Sequence, residues 1–575
     1  MVGKGDRERL RLLAAEAGTI RKAHGGMISV ALVYPNTYHV AMSNLGFQSV
    51  YHILNTLEGV VCERAFLPPP RSTGSKALSS LESGKPVSGF DVVAFSISFE
   101  NDFPNVITIL DAANLPSLAE DRDPRHPLVT AGGAACLLNP EPVARFMDCF
   151  LIGEAEKLLP RFMDLFSRYP DREDLLLKAS GEMDSFYAPS LFEDRYHPDG
   201  TLKSLKTVTT KIPGVIHRAR LDDLSGTATC STVVTPHTTF ERTFLVEVSR
   251  GCPHGCRFCA AGYVYRPPRF RPHGELAATI RQGRALAREV GLVGAAVSDL
   301  PGLDALCRES AANGIEISFS SLRADALTDE LLHQLRKNRV KTATIAPDAG
   351  SERMRAVINK GLSETDIIHA AGKLVSAGVP NLKLYFMVGL PFETMTDVDA
   401  VAELCKQIKR AFLESSKRKG KMGRITVSLN AFIPKPHTPF QWAPMEKVSL
   451  LKEKIKRIKS ALKAVPNITV NAEAPRQAYM QALFSRGDRR LADLLLLGRD
   501  HRWNWAQTFK ASGFDPDFYV YRQRAADEVF PWDVIDHGVH KSFLWSEYQR
   551  AAKGQKTRAC DPLSCRLCGV CPPRS

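Results

Sequence analysis

No apolar run in the 575 residues approaches the roughly 20 residues that a membrane-spanning helix needs, so no membrane span is expected. The opening stretch, Met1-Val-Gly-Lys-Gly-Asp-Arg-Glu-Arg-Leu10, is charged and lacks the apolar centre of a secretory signal. A cytoplasmic protein is therefore expected. Acidic residues are the scarcer charge, 62 against 76 basic, which leaves a net charge of +14. That excess permits an anionic partner, RNA included, without establishing one. In that compartment a disulfide framework is not the expected purpose of the 13 cysteines. Seven of these cysteines fall in two short arrays, which points to metal. The length is too great for one core, and three or four units are the prior.

The first array lacks a fourth ligand. In Val246-Glu-Val-Ser-Arg-Gly-Cys-Pro-His-Gly-Cys-Arg-Phe-Cys259, three cysteines stand at C-x3-C-x2-C spacing directly after a short apolar strand. Gly251, Pro253 and Gly255 supply the tight loop this spacing requires. Thiolates of Cys252, Cys256 and Cys259 can hold three irons of a cubane cluster and leave the fourth iron open to a substrate or cofactor. Phe258 would shield one face of such a cluster. The alternative is zinc, which usually wants four ligands, and His254 is the only nearby candidate, inside the same loop.

This array resembles the signature of the radical S-adenosylmethionine (radical SAM) superfamily, including the aromatic residue before the third cysteine. The resemblance implies a four-iron, four-sulfur cluster held by Cys252, Cys256 and Cys259. Its open iron would take S-adenosylmethionine (SAM), and one electron would release a 5′-deoxyadenosyl radical. It also implies an external electron donor of flavodoxin or ferredoxin type.

The expected fold class is α/β throughout the first two large units. Residues 1–27 read as a polar helical segment. Residues 28–165 alternate short strands, at 28–33, 60–66, 91–98, 128–131 and 149–152, with helical stretches, which argues a doubly wound parallel sheet of flavodoxin-like kind. Ligands bind such sheets at the C-terminal strand ends. Tyr34-Pro-Asn36, Met42-Ser-Asn-Leu-Gly46, Ala131-Gly-Gly133, Asn139-Pro-Glu-Pro142 and Ile152-Gly-Glu-Ala-Glu156 resemble the cobalamin-binding-like domain that precedes many radical SAM cores. The D-x-H-x-x-G frame whose histidine ligates cobalt is absent, and His39 lies out of that frame. Cobalamin therefore stays open but disfavoured, and His39 reads as a loop histidine. Residues 166–240 read as a connector.

Residues 241–445 form a second alternating series, with strands expected at 244–248, 294–298, 316–320, 341–346, 381–388 and 425–432. Each is followed by Gly, Pro or a polar residue, where parallel barrels place their chemistry. Six strands resemble the partial (β/α)6 barrel of radical SAM proteins. By that resemblance, Asp348, Gly350 and Ser351 in Pro347-Asp-Ala-Gly-Ser-Glu352 belong to the ribose and carboxylate segment, and Ser351 also caps the next helix. Arg323 would pair with the SAM carboxylate. Gly389-Leu-Pro-Phe-Glu393 would contact adenine, with a helix-capping role for Glu393 equally open. The usual G-G-E-like motif for the amino group is absent, and Ser298-Asp299 occupies its place. Lys435 and His437 at the barrel mouth are the substrate-side candidates, against a plain loop histidine for His437.

Residues 446–550 are expected to be mainly helical, with Trp503, Trp505, Phe509, Phe514, Phe518 and Tyr519 as core. Basic runs at 405–424 and 452–463 read as solvated faces, with nucleic-acid contact as the alternative. Residues 551–575 are a cysteine-rich tail. Cys560, Cys565, Cys568 and Cys571, at C-x4-C-x2-C-x2-C spacing, can close around one centre. A second four-iron cluster is the first reading and zinc the other. The whole chain resembles prokaryotic radical SAM proteins that join a cobalamin-binding-like domain, a radical SAM core and a C-terminal cysteine cluster, with Phe432-Ile-Pro-Lys-Pro-His-Thr-Pro-Phe-Gln-Trp442 among the marks. The expected function is reductive SAM cleavage to a 5′-deoxyadenosyl radical that acts on a substrate the sequence does not name, in RNA modification or in methyl or sulfur transfer or rearrangement of a small metabolite. The alternative class is a non-catalytic iron–sulfur protein for electron transfer or redox sensing.

Overall fold

The structure is a computed structural model that describes residues 4–68, 77–319, 322–416 and 423–571. Five parallel strands, β1 (Ile28–Tyr34), β2 (Val60–Phe66), β3 (Val92–Ser96), β4 (Leu128–Gly132) and β5 (Cys149–Leu151), lie in the order β2-β1-β3-β4-β5. An antiparallel edge strand, β6 (Phe186–Tyr187), completes this sheet, so the first unit runs past residue 165. Helices cover both faces, which is why β1 is apolar and buried at nearly every position. The chain steps outward from β1 to β2 and then returns to β3 on the other side. The loops after β1 and β3 therefore diverge and open a crevice at the C-terminal strand ends.

The second unit holds seven parallel strands in two sheets. The first has β7 (Phe244–Glu247), β8 (Glu289–Val293) and β9 (Glu316–Phe319). The second has β10 (Thr342–Asp348), β11 (Asn381–Val388), β12 (Ile425–Ala431) and β13 (Ile468–Ala472). Among the described residues no ladder joins β9 to β10, so the six strands expected in sequence do not form one continuous sheet. The strand expected at 294–298 is at Glu289–Val293 instead, paired from Phe244↔Val290 to Glu247↔Val293. Val290 and Leu292 give that segment a core face, whereas Gly294-Ala-Ala has little to pack and passes into a turn at Val297–Asp299. β13 lies past residue 445, within the region expected to be helical. Of the basic run at 405–424, Lys417, Arg418, Lys419 and Lys421 lie outside the described residues.

Helices Pro475–Arg486 and Leu491–Asp500 wedge between the two units and join their cores. Phe103 of the first unit meets Phe484 edge-on, with ring centroids 6.1 Å apart. Arg489 reaches Glu141 Oε2 and the Tyr187 hydroxyl, each at 2.9 Å, and so ties the wedge to the first sheet.

Candidate functional site

The three-cysteine loop leaves the end of β7 and is pinched at its base by a short antiparallel pair, Ser249–Arg250 with Arg269–Phe270. Gly251 has φ +80°, and a Cβ there would lie 2.5 Å from the Tyr265 carbonyl oxygen, so no other residue fits. Arg257, between the second and third cysteines, is fully buried. It donates to the carbonyls of Ala356 (3.1 Å) and Val357 (2.8 Å), to Glu547 (3.1 Å) and to the carbonyl of Gln555 (2.7 Å). Asn359 donates to the carbonyls of Gly255 and Thr557, both at 3.1 Å. The loop is thus clamped from the rear by the helix Glu352–Val357 and by the C-terminal helix Lys541–Ala552 with its following turn.

Cys256 is buried, while Cys252 and Cys259 are half-buried. Burial pushes the Cys252 thiol up to about 11 and the Cys256 thiol up to about 12, and it raises Cys259 as well. Two cations work against that rise. Lys360 favours the thiolates of Cys256 and Cys259, and Arg323 favours that of Cys252. Lys360 is held by Asp348 at 2.5 Å. Burial pulls the Lys360 ammonium down, but Asp348 and Cys256 outweigh it and keep it above its ordinary value. Asp348 ends β10 at a bulge, with φ +63°, a turn that swings its carboxylate toward the loop. Arg323 pairs with Asp325 through bonds of 2.9 and 2.8 Å. Asp299 takes His254 on Oδ1 at 2.9 Å, while its buried Oδ2 has no partner. His254 is therefore engaged away from the thiols.

Cys252, Cys256, Cys259, Asp299, Arg323 and Asp348 are brought together. Phe258 is partly buried beside them, against the apolar cluster of Ala349, Met354 and Phe440. Other expected positions also take part in packing and helix capping. A Cβ on Gly350 would meet the Val401 nitrogen at 2.2 Å, so that glycine admits the helix Met395–Ser416. Ser351 caps Glu352–Val357 by accepting from the Met354 N–H. Gly389 has φ +77° and lies against Leu451. Glu393 accepts from Gly389 N–H and from Lys454, both at 2.8 Å, and Asp397 rather than Glu393 accepts from the Thr394 N–H. Lys435 is bound to Glu100 of the first unit at 2.5 Å. His437 is half-buried, its ring 4.2 Å from that of His537, and is not brought to the cysteines. Lys360, Arg257 and Asn359 were missed in sequence. Asn359-Lys360-Gly361 marks a helix end, but nothing local shows that Lys360 returns to the cysteines.

The tail is seated against the same loop. Cys560 N–H donates to the Pro253 carbonyl at 2.7 Å, and His540 N–H to the Cys568 carbonyl at 2.9 Å. Arg266 donates to the Gly262 carbonyl at 2.5 Å and to Cys568. The thiols of Cys560, Cys565, Cys568 and Cys571 interact with one another. Among the described residues no three His, Cys, Asp or Glu side chains close on a single-ion point. A cavity of about 600 Å³ lies between the crevice of the first sheet and the start of the cysteine loop, lined by Asn44, Ser98, Gly133, Leu245, Arg250 and Gly251 among others. His39 is not in its lining and contacts Thr239 Oγ1 at 3.3 Å. No helix among the described residues is long and apolar enough to cross a membrane.

Residues 46–189 match the family described as radical SAM proteins, N-terminal, and residues 246–405 match the radical SAM superfamily. Uncharacterized protein MJ0966 of Methanocaldococcus jannaschii is 30% identical over 471 residues, which cover 81% of this chain and 90% of that protein. The chain belongs to the radical SAM superfamily. A second relative, Uncharacterized protein MK0932 of Methanopyrus kandleri, is 26% identical over 245 residues, 38% of this chain and 44% of that protein. Among solved structures, the radical SAM methyltransferase TsrM from Kitasatospora setae, with cobalamin and a [4Fe-4S] cluster bound, gives a TM-score of 0.44 at 13% identity, over 70% of this chain and 72% of that one. The cobalamin-dependent radical SAM enzyme OxsB gives 0.41 at 14% identity, over 68% and 55%.

Radical SAM enzymes use a four-iron, four-sulfur cluster and SAM, and need a reductant and a substrate. The residues present fit that pair of cofactors. Three thiols share one clamped loop, Lys360 and Arg323 favour their charged forms, and Asp299 Oδ2 is a buried acceptor with nothing to accept.

Proposed function

We propose that Cys252, Cys256 and Cys259 hold the cluster and that the surrounding charges hold the methionine end of SAM. When bound there, the cluster would supply the one electron that cleaves SAM to methionine and a 5′-deoxyadenosyl radical, the species that would abstract hydrogen from a substrate. Arg323 and Lys360 offer cations for the carboxylate, and Asp299 Oδ2 and Asp348 offer acceptors for the ammonium. The unpartnered Asp299 Oδ2, facing the cysteine loop between His254 and Arg323, is the observation that carries this reading. The first sheet, with its β2-β1-β3-β4-β5 order, is read as a flavodoxin-like domain, and β7 to β12 as a partial (β/α)6 barrel. Anaerobically reconstituted protein incubated with SAM and dithionite should form 5′-deoxyadenosine. Its absence from a fully iron-loaded sample would refute the assignment.

The four tail cysteines are read as holding a second four-iron cluster, supported by their mutual proximity and by the seat of Cys560 on Pro253. Four ligands need no help from elsewhere in the chain. The cavity between the units suits a ligand of some size, because Gly133 and Gly46 thin its walls. A corrinoid ligated by His39 is not what this arrangement offers, since His39 lies outside that lining. Protein purified anaerobically with cobalamin should carry no stoichiometric corrinoid whose cobalt is bound by His39.

A further inference from the structure

The second sheet ends at β13, whose outer edge carries no further strand among the described residues. Beside it runs the helix Val448–Leu462. The two enclose a groove of about 600 Å³. Its floor is Ile455, Leu462, Ile468, Val470 and Ala472, and one wall carries Lys452, Lys456, Lys459 and Lys463. All four lysines are exposed, and none forms an ion pair or side-chain hydrogen bond among the described residues. The neighbouring Lys454, by contrast, points inward to Glu393 and Glu446, and Arg457 is taken by Asp399. Glu473 is the one acid in the lining.

Steps of four, three and four residues put the free ammonium groups in one row about 16 Å long at 1.5 Å per residue. A row of unpaired cations beside an apolar trough matches a row of phosphates. It does not match a two-fold symmetric contact with a second copy of this chain, which would bring lysines against lysines. The open edge of β13 adds backbone N–H and C=O groups with no strand to pair them. Those carbonyls can accept from 2′-hydroxyls, which RNA carries and DNA lacks. No aromatic side chain lines the groove, so it offers contact to the backbone and not base stacking. β13 is parallel to β12, and Glu473 N–H donates to the Leu429 carbonyl. The upper end of the groove thus opens on the same side as the loops that hold Asp348 and Gly389.

We infer that this groove docks the phosphate backbone of an RNA and presents that RNA to the mouth of the second unit. The docking deepens the radical SAM reading by giving it a substrate class, but it does not depend on SAM cleavage. The test is binding of a fluorescein-labelled RNA hairpin measured by anisotropy across a salt series, with the same hairpin in DNA and poly-L-glutamate as competitors. The wild-type protein and the Cys252→Ala, Cys256→Ala, Cys259→Ala variant should bind the RNA equally, which separates docking from catalysis. Changing Lys452, Lys456, Lys459 and Lys463 together to Gln should weaken binding at least tenfold at low salt. It should also flatten the slope of log K against log[salt] by about 3–4, at about 0.7–0.9 for each phosphate no longer neutralised. The same four changes to Arg should restore both, and the thermal midpoint should not move, since these side chains hold nothing in the fold. An unchanged slope in the Gln variant, no RNA binding by the wild type, or equal displacement by the DNA hairpin or by poly-L-glutamate would each overturn the inference.

Discussion

Cys560 donates its backbone N–H to the carbonyl of Pro253, 2.7 Å away, and Pro253 is the residue after Cys252. The two cysteine arrays, separated by about three hundred residues of sequence, are therefore adjacent. If both hold clusters, electrons entering at the tail have a short route to the loop. Deleting residues 560–575 should slow SAM cleavage driven by a reduced flavodoxin or ferredoxin more than cleavage driven by dithionite, and Cys565→Ser should do the same. Equal slowing with both reductants would leave the tail a structural role only, as would zinc found in place of a second set of irons.

Changing Cys252, Cys256 and Cys259 to Ala should abolish 5′-deoxyadenosine formation. Iron content should fall without vanishing, because the tail keeps its own ligands. Retained SAM cleavage by this variant would contradict the assignment of the loop.

Arg257→Ala should destabilise the protein by about 3–5 kcal/mol, the range for removing one partner of a buried ion pair. Glu547 would stay buried with only the more distant Arg550, at 3.5 Å, and the Thr557 hydroxyl to answer its charge. Arg257→Lys should recover little of the loss, because one ammonium cannot reach Glu547 and the carbonyls of Val357 and Gln555 together. Denaturant midpoints of the three proteins check this.

His437 is held low, to about 3, chiefly by burial, and His537 is pushed down by burial and by His437. Both are neutral in the folded protein but take a proton near pH 6.5 when unfolded. Their contribution is fully present above that value and is lost as pH falls toward 3. For His437 alone the loss between pH 7.5 and pH 5 is about 2 kcal/mol, at about 1.4 kcal/mol per pH unit below 6.5. His437→Asn, which tolerates the φ of +56° at this position, should flatten that dependence. A stability profile equally steep in the variant would show that other groups carry it.

Most strands were legible because Ile28–Tyr34 is apolar and rich in β-branched residues, Asn381–Val388 buries every second residue, and both are bounded by turn residues. Two positions were not. Glu-Val-Gly-Leu-Val and Gly-Ala-Ala-Val-Ser stand side by side, and only the pairing of Val290 with Phe244 selects the first. β13 is five residues of Ile-Thr-Val-Asn-Ala between long helices, and its strand character comes from β12 beside it. At the site, the cysteine spacing revealed the loop, but the clamp on that loop depends on contacts across distances that no local pattern records. Arg257 is fixed by Glu547, and Lys360 reaches Asp348 because Asn359 turns the chain at φ +53°. His437 lies beside its partner ring a hundred residues on, so its position after β12 gave no hint of enclosure.

The clamp on the cysteine loop also has a timetable. Arg257 is made 290 residues before Glu547. At about 5–20 residues per second of synthesis, the loop waits roughly 15–60 s for the helix and turn that close over its rear. Through that interval the loop is held by the strand pair at its base and by the helix Glu352–Val357 alone. Synthesis of Glu547, Gln555 and Thr557 then closes the rear of the loop. The order of manufacture thus builds the clamp in two stages, the helix Glu352–Val357 first and the C-terminal helix last.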